Sequence, residues 1–151
     1  MSKDNFIDKP FEKLTPFELQ SIFYLRQQVF IIEQKCFYSD IDQSDSVAHH
    51  LMYFDGTELK GYLRIFRPGV KFEDAVSIGR IVVAPAYRGG DTGGKLINKG
   101  IEVSKELFNC RTIKIEAQSA LDGYYANFGF KSISEVYIVD DIPHKLMELT
   151  I

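Results

Sequence analysis

The run SIGRIVVAPAYRGGDTGG, residues 77–94, joins a strand pattern to a helix pattern through a glycine-rich turn. Its first part, Ile78–Val83, is rich in β-branched residues, and Pro85 follows it, which predicts a buried strand. The residues after the glycines, Lys95–Phe108, repeat apolar side chains at helical spacing. The sequence therefore predicts a strand, a loop and a helix in direct succession.

This loop is a candidate anion site. Backbone N–H groups of a glycine loop can approach a phosphate closely, and the N-terminus of the next helix favours negative charge. Arg88 can add a charge-assisted fork. An ordinary glycine-rich connection fits the same spacing, and both interpretations stay open on these grounds. The candidate anion-binding residues are Arg88, Gly89, Gly90, Asp91, Thr92, Gly93 and Gly94.

A nucleoside-triphosphate P-loop is one phosphate-binding interpretation of the loop. Gly89-x-x-x-x-Gly94-Lys95 matches most of its pattern, but Leu96 stands where a Ser or Thr must bind magnesium. Pro85–Arg88 also separates the strand from the glycines, whereas a P-loop leaves its strand directly. These two departures argue against a P-loop.

Length and composition predict one globular domain over residues 1–151. A net charge of −3 and the lack of a Lys/Arg cluster argue against a nucleic-acid partner. No apolar stretch is long enough to cross a membrane, and MSKDNFIDKP at the N-terminus lacks the apolar centre of a signal peptide.

The two cysteines, Cys36 and Cys110, stand far apart and lack metal-binding spacing. This pattern favours a reduced, cytoplasmic protein, and we expect no metal site. The sequence leaves the oligomeric state open, with a homodimer as one alternative.

Local patterns predict a mixed α+β order of elements. Thr15-Pro16-Phe17-Glu18 is a helix start, with Thr15 as the cap and Glu18 closing a capping box. Asp55-Gly56 predicts a tight hairpin. The expected elements are a strand or coil near Phe11–Leu14, a helix from Thr15 through Phe30, strands at Ala48–Phe54, Leu59–Phe66, Glu73–Val83 and Thr112–Ala117, a helix at Leu121–Phe128, and strands at Lys131–Val139 and Leu146–Ile151.

Three arginines fall among the apolar residues of these elements. Arg26 lies on the apolar stripe of the first helix, and Arg64 and Arg80 lie on apolar faces of two strands. Unpaired guanidinium groups would repel one another, so a carboxylate such as Glu33 or an anionic substrate group is expected beside them. The acid-rich segment Glu33–Ser46 is predicted to be a solvated loop, with a substrate-lining wall as the alternative.

Arg88-x-x-Asp91-x-Gly93 resembles the Arg-x-x-Gly-x-Gly/Ala signature with which GNAT acetyltransferases bind the diphosphate of coenzyme A. It departs at Asp91, where the family has glycine. The resemblance covers nearly the whole chain and is most specific for the ElaA-like branch. The matching residues are Leu25-Arg26-x-x-Val29-Phe30-x-x-Glu33-Gln34-x-Cys36-x-Tyr38-x-Asp40-Ile41-Asp42, His50, Tyr62-x-Arg64, Ile78-Gly79-Arg80-Ile81-Val82-Val83, Ala117-Gln118, Tyr125-Ala-Asn-Phe-Gly129-Phe130 and Ile142-Pro143-His144.

The resemblance implies the GNAT fold, a mixed, mostly antiparallel sheet flanked by helices. It implies acetyl-CoA as cosubstrate, without a metal, and transfer of the acetyl group to an amine of a small molecule or peptide within a ternary complex. A coenzyme A or nucleotide-phosphate binding module without turnover is the alternative from another functional class.

The resemblance also assigns roles to residues. Backbone N–H groups of Ile81, Val82 and Val83 would hold the pantetheine and polarise the thioester carbonyl, and the loop Arg88–Gly94 would hold the diphosphate. Tyr125 is the expected general acid. Asp91 is expected to cap the first turn of the helix and to oppose the diphosphate. The candidate general bases are Glu33 and His50, and the candidate acceptor-binding residues are Arg26, Arg64, Arg80 and Gln118.

Overall fold

The computed structural model describes residues 4–151. Within them the chain forms three α-helices and eight strands. The helices are α1 (Pro16–Arg26), α2 (Thr92–Leu107) and α3 (Asp122–Ala126). The strands are β1 (Asp4–Pro10), β2 (His49–Asp55), β3 (Glu58–Phe66), β4 (Val76–Val83), β5 (Thr112–Gln118), β6 (Lys131–Ser132), β7 (Tyr137–Val139) and β8 (Ile142–Thr150).

All eight strands belong to one sheet, in the order β1-β2-β3-β4-β5-β8-β6, and β7 also pairs with β8. The β4–β5 pair is parallel, and every other pair in the described sheet is antiparallel. This mixed, mostly antiparallel sheet confirms the predicted α+β class.

Several element boundaries differ from the sequence-based expectation. The first strand is β1, earlier than the predicted strand or coil near Phe11–Leu14, and Phe11–Lys13 forms a 3-10 turn. Residues 1–3 lie outside the described residues. Helix α2 begins before Lys95, because Gly93 and Gly94 already lie in its first turn. Strand β8 begins at Ile142, because Asp140 and Asp141 with positive φ make a tight turn.

The predicted start of α1 is confirmed. The Thr15 hydroxyl accepts a hydrogen bond from the Glu18 backbone N–H at 3.1 Å, and the Glu18 carboxylate accepts one from the Thr15 N–H at 2.9 Å. After Arg26 the helix widens into a π-helical segment, Gln27–Glu33. Such wide turns often occur at functional sites.

Two apolar clusters cover opposite faces of the sheet. Leu96, Ile97 and Val103 of α2 pack against residues such as Leu63 and Ile113. On the other face, α1 and the π-helical segment pack against a second cluster of strand residues. Its buried members are Ile22, Leu25, Val29, Met52, Phe54, Leu59, Tyr62 and Val82. Alternation along the two predicted strands places His50, Met52 and Phe54 on one face of β2 and Tyr62, Arg64 and Phe66 on one face of β3. The antiparallel register confirms this alternation, since Met52 pairs with Tyr62 and His50 with Arg64.

A bulge in β4 opens the sheet. Tyr62 of β3 pairs with Val82, but Arg64 pairs with Gly79, so β4 holds an extra residue, and Arg80 has a φ of 50°. On its other edge, β4 pairs with β5 only at Val76 and Ser77. Beyond Ser77 the two strands diverge, and the gap between them becomes a cleft.

Candidate active site

A cavity of about 270 Å³ occupies the cleft between β4 and β5. The π-helical segment and the loop after it form one wall, and the ends of β5, α3 and β8 form the other. The residues that line the cavity include Phe30, Cys36, Tyr38, Arg80, Ile81, Val82, Val83, Arg88, Glu116, Gln118, Tyr125, Asp140 and His144.

The backbone of β4 provides one side of the cavity. Ile81, Val82 and Val83 all line it, along the edge that β5 no longer covers. Main-chain polar groups at such an uncovered edge are free to bind a ligand in an extended conformation. The backbone of these three residues therefore lies at the open edge, where the N–H groups that do not face β3 can donate to a ligand.

The glycine loop leads from this edge to the N-terminus of α2. Gly89 has a φ of 86°, which glycine adopts at little cost. A Cβ atom at Gly93 would lie 2.7 Å from the Tyr124 hydroxyl, so a side chain there would collide with α3. Glycine thus fits both positions, Gly89 because of its backbone conformation and Gly93 because a Cβ atom there would require the Tyr124 side chain to shift.

Asp91 precedes α2 but does not act as the expected side-chain cap. No hydrogen bond joins its carboxylate to the first turn. The carboxylate is 78% exposed and lies 3.3 Å from Lys95 Nζ. The expected cap is therefore wrong, because Asp91 turns outward to a lysine. The Asp91 carboxylate therefore accepts no hydrogen bond from the N–H groups of the first turn, and these groups are suited to bind an anion.

Arg88 is held by Glu33 in this structure. Its two terminal nitrogens donate to the two Glu33 oxygens, each at 2.7 Å. Hydrogen bonds from Arg88 lower the pKa of Glu33 below its usual value. Glu33 does not line the cavity among the described residues. The structure therefore does not bring this candidate base to the cavity, and it joins Glu33 to the predicted diphosphate arginine.

Tyr125 lies on α3 and lines the cavity opposite the open edge of β4. Its side chain is buried, whereas the neighbouring Tyr124 is 41% exposed and packs edge-on against it. Burial raises the pKa of Tyr125 to about 12, and Tyr124 adds to that increase. The phenol is therefore protonated at neutral pH, as a proton donor must be.

His50 lies away from the cavity, in the sheet under α1. Its Nε2 donates to the Asp45 carbonyl oxygen at 2.8 Å, so its Nδ1 accepts from the Tyr62 hydroxyl at 2.7 Å. Burial lowers the pKa of His50, with the charges of Arg26 and Arg64 acting in the same direction. With both nitrogens engaged and no exposure, this candidate base does not reach a substrate.

Arg26 is completely buried and is paired with the acidic loop. Its Nε donates to Asp40 at 3.0 Å and one terminal nitrogen donates to Asp45 at 2.7 Å. The other terminal nitrogen donates to the Asp40 carbonyl oxygen at 2.7 Å. All its donor groups are thus turned toward protein atoms, and Arg26 does not line the cavity.

Arg64 and Arg80 extend the same network. Arg64 makes a two-pronged contact with Asp42, both distances 3.0 Å, and also reaches Asp45 at 3.1 Å. Arg80 lies 2.7 Å from an Asp40 oxygen and 3.4 Å from an Asp42 oxygen. The two arginines do approach one another across the sheet, as expected, and Asp42 bridges them.

The carboxylates beside the arginines are Asp40, Asp42 and Asp45, not Glu33. Three positive and three negative charges balance without a substrate. Of the predicted acceptor-binding residues, Arg80 and Gln118 line the cavity, and Arg26 and Arg64 do not. The segment that carries these aspartates is therefore pinned to the sheet rather than a freely solvated loop.

Several cavity residues were not among the sequence-based candidates. Tyr38, Glu116 and His144 line the cavity together with Tyr125. The sequence contained a signal for the histidine, because Ile142-Pro143-His144 is one of the motifs that resemble the ElaA-like branch. What the sequence lacked was the register that places His144 opposite Gln118.

Metal sites and membrane-spanning helices are two other features that the described residues were expected to lack. Across residues 4–151, no three His, Cys, Asp or Glu side chains are grouped so as to hold a metal ion. None of the helices in that range is long and apolar enough to span a membrane.

Comparison with known proteins assigns the family. The model of the acetyltransferase (GNAT) domain matches residues 14–151. The chain belongs to the GNAT family of acetyltransferases. The chain is therefore a member of an enzyme family, and the resemblance to the ElaA-like branch is confirmed.

Relatives of this GNAT acetyltransferase match most or nearly all of its length. A UPF0039 protein of Schizosaccharomyces pombe is 36% identical over 151 residues, which is 99% of each chain. Protein ElaA of Escherichia coli is 35% identical over 134 residues, 87% of each chain. The crystal structure of an acyl-CoA N-acyltransferase from Pseudomonas aeruginosa superposes with a TM-score of 0.92 at 37% identity, covering 98% of this chain and 100% of that one.

The network makes a prediction about acid stability. Burial alone would raise the pKa of Asp42, but hydrogen bonds and charge from Arg64 lower it well below its usual range. A depressed folded-state pKa stabilises the fold above the unfolded value of about 3.9, and this contribution disappears as pH falls through the folded value. We expect Asp42→Asn to lower the melting temperature at neutral pH by several degrees, and the difference from the wild type to narrow as pH falls below about 4.

Asp74→Asn is the matched control, since the Asp74 side chain is 84% exposed and its Oδ1 lies 3.5 Å from Lys114 Nζ. It should change the melting temperature little at any pH. A difference between Asp42→Asn and wild type that stays constant from neutral pH to acid would contradict the pairing with Arg64.

Proposed function

We propose that this GNAT acetyltransferase transfers the acetyl group of acetyl-CoA to an amine of a small molecule or peptide, by direct attack in a ternary complex. One observation carries the proposal. The open edge of β4, the glycine loop end at Arg88 and the buried Tyr125 all line one cavity. In an extended acetyl-CoA molecule, the thioester would bind the backbone of β4, the diphosphate would bind the glycine loop, and the leaving thiol would take a proton from Tyr125.

The cosubstrate would lie along β4. The N–H groups in the first turn of α2 and the loop Arg88–Gly94 would hold the diphosphate. The pantetheine would then follow the backbone of Ile81–Val83, and an N–H there would polarise the thioester carbonyl as an oxyanion donor does. Diphosphate binding has to take Arg88 from Glu33 or share it, because the guanidinium already uses both terminal nitrogens.

Tyr125 would act on the leaving group. As the C–S bond breaks, the sulfur takes the electron pair and then the phenolic proton. With a pKa raised to about 12, the phenol holds its proton firmly until negative charge develops on the sulfur. The nitrogen that attacked the thioester still carries an extra proton after the C–S bond breaks, and it gives that proton to the phenolate, so the amide forms and the tyrosine is regenerated.

The acceptor would enter from the other end of the cavity, beside Gln118 and Arg80. Because Asp40 and Asp42 already neutralise Arg80, an acceptor with an anionic group is not required there. We therefore assign to Arg26 and Arg64 a structural role in holding the cavity wall. Arg80 and Gln118 remain the candidate acceptor-binding residues.

Thermal unfolding with ligands tests the functional class. Acetyl-CoA at a hundredfold excess over Kd should stabilise the protein by about 2.7 kcal/mol, and ATP with magnesium should not. Thiol release from acetyl-CoA, measured over a library of amines, then tests for turnover. Stabilisation by magnesium-ATP without stabilisation by acetyl-CoA would overturn the proposal, and acetyl-CoA binding without turnover on any amine would favour a binding module.

Tyr125→Phe should keep the affinity for acetyl-CoA and lower kcat by about 10²–10⁴-fold, because it removes only the proton donor. Steady-state kinetics with thiol release, together with calorimetric acetyl-CoA binding, measure the two quantities separately. Tyr124→Phe is the matched control and should change kcat little. Reversed effects of the two variants would show that Tyr124 is the donor.

Asp91→Gly should tighten acetyl-CoA binding several-fold at low salt. The exposed carboxylate makes no capping hydrogen bond, so its removal costs no cap, and it removes a negative charge near the diphosphate. The gain should shrink as salt screens the charge. Weaker acetyl-CoA binding by the variant at low salt would contradict this account of Asp91.

A further inference from the structure

His144 stands at the acceptor end of the cavity in a fixed tautomer. Its Nδ1 lies 2.7 Å from the carbonyl oxygen of Ile142. A carbonyl oxygen only accepts hydrogen bonds, so Nδ1 carries the proton. In the neutral ring Nε2 is then the basic nitrogen, and it has no hydrogen-bond partner among residues 4–151.

The sheet holds the ring in place. His144 pairs with Gln118 of β5 on one side and with Tyr137 of β7 on the other, so the three side chains share a face. The Tyr137 ring lies nearly parallel to the imidazole, with centroids 6.3 Å apart, and its hydroxyl donates to Glu116 at 2.8 Å. His144, Gln118 and Glu116 all line the cavity that contains Tyr125.

We propose that His144 is the general base that removes a proton from the acceptor ammonium. The inference rests on the proposed acetyl transfer and deepens it. The Nε2 lone pair takes one proton from R–NH3⁺, which gives R–NH2 and an imidazolium. The nitrogen lone pair of the amine then forms the C–N bond to the thioester carbon, and the C–S bond breaks as described for Tyr125. The imidazolium later gives its proton to solvent.

The charges around the ring suit this task. The titratable groups nearest to it on the packed elements come from β5, β7, the turn before β8 and β8 itself. They are Glu116, Tyr137, Asp140, Asp141 and Lys145, and Lys145 alternates to the opposite face and pairs with Asp122 at 2.8 Å. Arg80 and Arg88 also line the cavity, Arg80 beside Asp40 and Asp42 and Arg88 paired with Glu33. Each of these cations thus lies against a carboxylate, which reduces its repulsion of an incoming ammonium.

Two acceptors separate proton removal from the other steps. The side-chain amine of Nα-acetyl-lysine amide, with a reference pKa of about 10.4, is almost fully protonated at neutral pH and needs a base. Hydroxylamine is mostly uncharged there and does not. We expect His144→Gln to lower kcat/KM for the lysine amide by about 10²–10⁴-fold and to lower that for hydroxylamine less than about tenfold.

The pH dependence gives a second readout. For the wild type, kcat/KM with the lysine amide should level off well below the pKa of the amine, because a base on the protein removes the proton. For His144→Gln it should keep rising toward the pKa of the amine. His49→Gln is the matched control, since His49 lies on β2 outside the cavity and contacts Asp8, and it should behave as the wild type.

Equal losses with both acceptors, or an unchanged pH profile in His144→Gln, would overturn the assignment of His144. So would nitrogen NMR of labelled histidine that finds the proton of the neutral His144 ring on Nε2. Failure of the wild type to acetylate either acceptor, together with no thermal stabilisation by acetyl-CoA, would instead overturn the proposed function and this inference with it.

Discussion

The ion-pair network of Arg26, Arg64 and Arg80 with the three aspartates is the interaction on which the cavity depends. A fully buried guanidinium is tolerated only when its donors are paired, and Arg26 uses both side-chain and backbone oxygens of the acidic loop. Removing one member of such a network leaves uncompensated charge, which typically costs about 3–5 kcal/mol. The loop from Gln34 to Val47 is thereby fastened across α1, β3 and β4, and its first half becomes a wall of the cavity.

The bulge at Arg80 links this network to the chemistry. The bulge lies just beyond Ser77, the last residue of β4 that pairs with β5, and Arg80 within it carries the guanidinium that reaches Asp40. A positive φ at a residue other than glycine is costly, and the contacts with Asp40 and Asp42 offset that cost. The bulge beside the open edge of the sheet and the contact with the acidic loop thus meet at Arg80.

Much of the fold was predictable because its signals are local. The capping box at Thr15, the Asp55-Gly56 hairpin and the alternation of β2 and β3 depend on neighbours along the chain, and all three were predicted. The partners of the arginines were not. Asp40 and Asp45 lie 14 and 19 residues from Arg26, and nothing in an acidic loop distinguishes a solvated aspartate from a buried one. His50 and His144 show the same limit, since only the placement of α1 over β2 and the pairing of β8 with β5 decide which histidine reaches the cavity.

Hydrogen–deuterium exchange of the amides of residues 81–83 and 89–94, with and without acetyl-CoA, tests whether the open edge of β4 is the cosubstrate site. We expect slower exchange at both segments when acetyl-CoA binds, because N–H groups at the open edge of β4 and in the first turn of α2 become donors to the ligand. Exchange at these amides with magnesium-ATP should match that of the free protein. Unchanged exchange at residues 81–83 under saturating acetyl-CoA would contradict the claim that the open edge of β4 is the cosubstrate site.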